Sequence, residues 1–140
     1  MIVKHYELAK KLNDDINFYL LYGSNIGLIE ETINNTLKPL FSKNIYYYDE
    51  VEILNNVDDF KESVLNKSFF ENDKLIIINR TSEKILNLIE EIADKNIEDL
   101  KFIFKSNNLE KKSKLRNYFE KNLKTVIVPY YDDNHQALSL

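Results

Sequence analysis

Gly23 stands where a phosphate-binding loop would begin. It ends the apolar run Asn17-Phe-Tyr-Leu-Leu-Tyr22 and precedes a helical pattern that opens at Asn25. In parallel α/β sheets, ligands collect beyond the carboxyl ends of the strands, so this turn is the first place to look for chemistry. A loop that cradles a nucleotide needs glycines for close backbone approach, a lysine on the β and γ phosphates and a hydroxyl on magnesium. Counted from Gly23, the template puts its second glycine at Leu28, its lysine at Ile29 and its hydroxyl at Glu30. Isoleucine carries no ammonium, and Glu30 adds negative charge where a helix start should attract phosphate. The metal-holding acid expected after the apolar strand Leu75-Ile-Ile-Ile78 is replaced by Asn79 and Arg80. Gly23, Ile29 and Glu30 therefore mark a degenerate, non-binding loop. ATP hydrolysis is not expected of it.

Other chemistries find no better footing. A phosphoacceptor site needs carboxylates at the ends of the first and third strands, where Gly23-Ser24 and Asn79 stand instead. The acidic pairs Asp14-Asp15, Glu30-Glu31, Asp58-Asp59 and Glu90-Glu91 are adjacent in sequence rather than spaced to converge, and they read as solvated faces and helix starts. His5 and His135 lie near the termini with no second ligand or nucleophile spaced to meet them. There is no Gly-x-Ser-x-Gly elbow and no His-Glu-x-x-His helix. No catalytic centre, metal site or cofactor is expected.

Two features suit binding instead. The stretch Asn66-Lys-Ser-Phe-Phe-Glu-Asn-Asp73 is a polar connection that carries Phe69 and Phe70 side by side. Neighbouring side chains point in different directions in a helix or a strand, so both rings rarely enter one core. An exposed aromatic pair is a protein-contact candidate, since an anchor of this kind is worth about 2 kcal/mol or more at an interface. The plainer alternative is one ring capping the core and the other lying on the sheet edge. The second feature is the basic run Lys111, Lys112, Lys114 and Arg116, a candidate DNA contact. With Glu110 and Glu120 beside it, it reads more simply as a solvated helix face.

The elements that must position these residues follow from periodicity. A short amphipathic segment with Tyr6, Leu8 and Leu12 precedes the first strand, and a helix then carries Ile26, Ile29, Ile33, Leu37 and Leu40 on one stripe. Strands are expected at 45–48, 74–78, 101–104 and 125–128, alternating with helices through Val57-Phe60-Val64, Ile85-Ile89-Ile92 and Leu115-Phe119. Strands that alternate with helical crossovers build a parallel sheet covered on both faces. The fold class is α/β, a three-layer α/β/α arrangement with a five-stranded parallel sheet. Residues 1–130 read as one such domain, and residues 131–140 as the start of a connection to a following helical domain.

Composition agrees. The 140 residues, 44% of them hydrophobic, suffice for one sizeable core. The lack of cysteine excludes disulfides and thiolate chemistry, and no apolar run approaches the roughly 18 residues of a membrane span. These features read as a soluble, cytoplasmic protein with no membrane partner. A net charge of -4 disfavours phosphate neutralisation as a binding mode and favours a protein partner.

In order and spacing, three groups of residues resemble the N-terminal domain of the delta subunit of bacterial DNA polymerase III. They are Phe18-Tyr-Leu-Leu-Tyr-Gly23 with Leu28-Ile-Glu-Glu31, Ser68-Phe-Phe70 before Lys74-Leu-Ile-Ile-Ile78, and Lys111-Lys-Ser-Lys-Leu-Arg116 before the last strand. The resemblance implies an AAA+-like domain of the P-loop NTPase class that has lost nucleotide binding. It also implies that Phe69 and Phe70, with Ser68 beside them, insert into a hydrophobic pocket of the sliding clamp (the beta subunit) and help open it for loading. The other partners implied are the gamma/tau and delta prime subunits, with primed DNA met only through the complex. One departure stands out: the glutamine that usually precedes the aromatic pair is missing, Leu65, Asn66 and Lys67 occupy that stretch, and the only glutamine is Gln136.

Overall fold

The apolar runs become five parallel strands. The computed structural model describes residues 1–13, 15–41, 44–65, 73–95 and 99–131. A 3-10 turn at His5–Glu7 and the short helix α1 (Leu8–Lys11) lead into β1 (Phe18–Gly23). Helix α2 (Ile26–Thr32) continues through a π-helical turn (Ile33–Leu37) into α3 (Lys38–Phe41). Strand β2 (Asn44–Asp49), α4 (Glu50–Asn55), α5 (Val57–Leu65) and β3 (Lys74–Asn79) follow. A 3-10 turn at Glu83–Ile85, α6 (Leu86–Asp94), β4 (Leu100–Ser106), α7 (Lys114–Lys121) and β5 (Thr125–Tyr130) complete the order. Every ladder is parallel and the strands run β2-β3-β4-β1-β5 across the sheet. The outer edge of β5 is covered by a bridge from Ile2 to Ile127.

Side-chain alternation along each strand divides the core in two. Phe18, Leu20 and Tyr22 of β1 face one layer with Ile76, Ile78, Phe102, Phe104 and Ile127, beneath α5, α6 and α7 through Phe60, Ile89 and Phe119. Tyr19 and Leu21 face the other layer with Leu75, Ile77, Ile103 and Val128, beneath Leu8 and the α2–α3 helix through Ile29, Ile33 and Leu37. Phe18 stacks on Phe102 with ring centroids 5.3 Å apart, and Phe104 meets Phe119 edge-on at 5.9 Å. Burial on both faces explains why these strands read as continuous apolar runs rather than alternating ones. The three-layer α/β/α architecture expected from the sequence is the one observed.

Two local expectations need correction. The stripe predicted for the second helix keeps Ile29, Ile33 and Leu37 buried, but Ile26 and Leu40 are 59% and 62% exposed. Ile26 opens the helix just after β1 and stays exposed there. Leu40 is displaced by the π turn, in which the Lys38 N–H donates to the Ile33 carbonyl. Pro39 lacks an N–H and its ring crowds the carbonyl four residues back, so the turn widens by one residue and the apolar phase slips. The second correction is α4, which periodicity did not reveal because only Glu50 and Ile53 of its six residues are buried.

Candidate functional site

All strands run the same way, so the turns after β1, β3 and β4 gather at one end of the sheet. Gly23 is there for packing. Its φ is +135°, and a Cβ on it would lie 1.9 Å from the Tyr130 carbonyl oxygen, because Gly23 pairs with Tyr130 across the β1–β5 ladder. The close approach that a phosphate would need is taken up by a neighbouring strand. Asn25 then closes the turn: its N–H donates to the Tyr130 carbonyl at 3.2 Å, and its Oδ1 accepts from the Leu28 N–H at 3.1 Å.

The positions that would hold phosphate and metal are occupied too. Ile29 is 2% exposed and belongs to the core beneath the sheet. Glu30 forms an ion pair with Lys105 of β4. Asn79 ends β3, and Arg80 follows in a left-handed conformation with its guanidinium 3.4 Å from Asp49. Thr81 turns back to donate its hydroxyl to the Lys105 carbonyl at 2.8 Å.

Each helix start at this end is satisfied by the chain itself. Glu52 reaches back to the Asp49 N–H at 3.0 Å at the head of α4. Buried Glu50 accepts from the Ser82 N–H and hydroxyl at 2.8 and 2.7 Å, before the turn that opens α6. At α7, Glu83 accepts from the Lys114 N–H at 2.7 Å and Ser113 Oγ from the Arg116 N–H at 3.2 Å. Helix N-termini bind anions through N–H groups that lack intrahelical partners. Here side-chain oxygens accept from one or two N–H groups at each start, with carboxylates of Glu52, Glu50 and Glu83 among them.

Of the four candidate DNA-contacting cations, Arg116 is folded inward. Its guanidinium lies over the Tyr22 ring at 5.4 Å, donates to the Leu109 carbonyl at 2.9 Å and bonds Glu120 at 3.1 Å. Lys111, Lys112 and Lys114 are exposed, and Lys112 is 3.5 Å from Glu110. The run is thus three surface lysines among carboxylates, with one arginine serving the core. Burial, together with a hydrogen bond to Tyr131, pushes the Tyr22 hydroxyl far above its ordinary range, and burial pushes Tyr130 up to about 12. Neither phenol exchanges a proton near neutral pH. Among the described residues no cluster of histidine and carboxylate is suited to a metal, and no helix is long and apolar enough to cross a membrane.

Sequence reasoning missed Lys105, Asp49 and Glu50. For Asp49 a signal was present: Asp49-Glu-Val-Glu52 is a capping-box spacing, acid at the cap and glutamate three residues on, whereas Glu50 meets Ser82 only in the fold. Lys105 carried none, because only the β1–β4 register brings it beside Glu30.

The other candidate is the aromatic pair with the serine beside it. Ser68, Phe69 and Phe70 fall outside the described residues, as do His135 and Gln136. The described elements before and after them in sequence are α5, which ends at Leu65, and β3, which begins at Lys74.

A lysine at position 29 would not repair the loop. Ile29→Lys places an ammonium in an apolar layer, and we expect it to lower the unfolding free energy by about 3 kcal/mol. Urea unfolding of variant and wild type measures this.

Comparison with known proteins agrees with this geometry. The solved structure of the Bacillus subtilis DNA clamp loader delta protein (YqeN) superposes with a TM-score of 0.68 at 16% identity, covering 95% of this chain and 43% of that one. The chain thus spans less than half the length of that relative, and at this identity the likeness shows the fold. No curated protein matches. The family model for DNA polymerase III, delta subunit, matches residues 19–129, which include both the Gly23 turn and Phe69-Phe70. With most of its length matched in that way, the chain belongs to the DNA polymerase III delta subunit family.

Proposed function

We propose that this chain is the clamp-binding module of a clamp loader, and that it grips the sliding clamp through Phe69 and Phe70 and helps to open it. It has no catalytic centre and uses no cofactor; ATP is hydrolysed by the gamma/tau subunits with which it assembles, together with delta prime, in the DNA polymerase III complex. Primed DNA is met through that complex. The observation that supports the reading is that Phe69-Phe70 fall inside the family match, in the sequence between α5 and β3.

The closed carboxyl end supports the non-catalytic half of the proposal. A nucleotide there would meet Glu30, Glu50 and Glu83 rather than free N–H donors and a lysine. Titration calorimetry with ATP and magnesium is expected to show no binding. Micromolar affinity would overturn this half and leave a P-loop nucleotidase as the better reading. A nucleic-acid-binding role has less support, because the arginine of its basic run is committed to Tyr22 and Glu120.

Clamp binding is tested with the purified sliding clamp and the 140-residue chain. Wild type binds and the Phe69→Ala/Phe70→Ala variant does not. Equal binding by the two, or none by either, sinks the proposal.

A further inference from the structure

The α-amine of Met1 sits in a site made of backbone carbonyls. Its nitrogen donates to the carbonyls of Phe119 at 2.5 Å, Asn122 at 2.9 Å and Thr125 at 2.9 Å. Phe119 lies in the last turn of α7, Asn122 caps that helix and Thr125 opens β5. Carbonyls at a helix end lack intrahelical partners and carry the negative pole of the helix dipole, so a cation is the group they suit. An ammonium has three hydrogens to give, one for each carbonyl. The rest of the segment is seated as well. The Ile127 N–H donates to the Met1 carbonyl at 3.0 Å and the Val3 N–H to the Ile127 carbonyl at 2.9 Å. The Thr125 hydroxyl donates between the Phe119 and Asn122 carbonyls, at 3.1 and 3.2 Å, which fixes the turn that supplies them. Val3 is buried, and Met1 packs against the apolar layer of Tyr19 and Val126.

The Cα and three acceptors take up the four directions of a tetrahedral nitrogen. An acyl group would make that nitrogen a planar amide with one hydrogen, and would need room where a carbonyl now stands. We propose that the α-amine of Met1 is a modification-sensitive site: free, it clasps the end of α7 to β5, and a formyl or acetyl group on it opens the clasp. Residues 1–3, which cover the outer edge of β5, then lose their anchor. The clasp does not depend on the contact proposed for Phe69 and Phe70.

The test uses the 140-residue chain with its amine free and with the same amine acetylated. Burial lowers the pKa of this amine, with Glu120 opposing, so the comparison is made at about pH 6.5, where a free terminus is largely charged. Acetylation is expected to lower the urea midpoint by about 1 M, since it removes charge-assisted hydrogen bonds from a partly buried site. In a chain that starts at Lys4, which has no amine to place there, acetylation should shift the midpoint by less than about 0.2 M. The second measurement needs no variant. An acetylating reagent should label Met1 at least about tenfold more slowly in the folded chain than in urea, read by mass spectrometry of the peptide that carries it, because the amine must leave its site to react.

Failure of the acetylated chain to fold, with the free chain folded, also supports the inference. An unchanged midpoint on acetylation overturns it. So does an equal shift in the chain that starts at Lys4, which would mark a general effect of terminal charge. Labelling of Met1 at the same rate folded and unfolded overturns it too, whatever the midpoints show.

Discussion

Replacing Phe69 and Phe70 together by alanine is expected to weaken the sliding-clamp complex by at least about a hundredfold, with the unfolding midpoint of the chain almost unchanged. Aromatic anchors that fill a partner's pocket contribute about 2 kcal/mol or more each, and about 1.4 kcal/mol is tenfold in affinity. Two full contributions would exceed a hundredfold, but anchors in one pocket share their surroundings and do not add. The absence of a glutamine ahead of the pair matters for this estimate. Leu65, Asn66 and Lys67 stand there, so the proposed contact is expected to lean on the apolar rings rather than on a glutamine. Surface plasmon resonance on immobilised clamp measures the loss. A double variant that binds within a few-fold of wild type would remove the rings from the interface.

The second large effect concerns folding. Gly23→Ala should cost about 3 kcal/mol or more of stability, because two penalties coincide. A side chain at φ +135° is strained, and its Cβ would sit 1.9 Å from the oxygen, 2.7 Å from the carbon and 2.9 Å from the nitrogen of Tyr130. All three are backbone atoms of a buried strand, so relief requires β5 to part from β1. Parting them would also disturb the Asn25 N–H bond to the Tyr130 carbonyl. Gly27→Ala is the control. The nearest atom to a Cβ there is Asn25 Oδ1 at 3.9 Å, an ordinary contact, and alanine near a helix start should change stability by under about 1 kcal/mol. Urea unfolding of the two variants side by side decides the matter, and similar midpoints would show that the β1–β5 approach yields easily.

The two phenotypes should separate cleanly. Gly23 serves the fold at the carboxyl end of the sheet, whereas the role proposed for Phe69-Phe70 is contact with a partner. Glu50 on Ser82 and Glu83 on Lys114 occupy N–H donors near helix starts, and Glu30 pairs with Lys105, so all three place negative charge where an anionic ligand would approach.

Much of this was legible in the chain alone. Continuous apolar runs such as Tyr19-Leu-Leu21 and Leu75-Ile-Ile-Ile78 can be buried only in strands covered on both faces, so strand identity, parallel pairing and the three layers follow from local pattern. The missing lysine and hydroxyl at Ile29 and Glu30 are likewise facts of sequence, and so was the aromatic pair at Phe69-Phe70. Tertiary structure decided what depends on residues far apart in the chain. It showed that Gly23 is glycine because Tyr130 passes against it, that Glu30 answers Lys105, and that Arg116 turns inward to Tyr22. It also placed Lys74 under the end of α5 and moved Leu40 off the buried stripe through the π turn before Pro39. Local pattern records which side chains avoid water, whereas register between strands, set only when the sheet assembles, determines which of them meet.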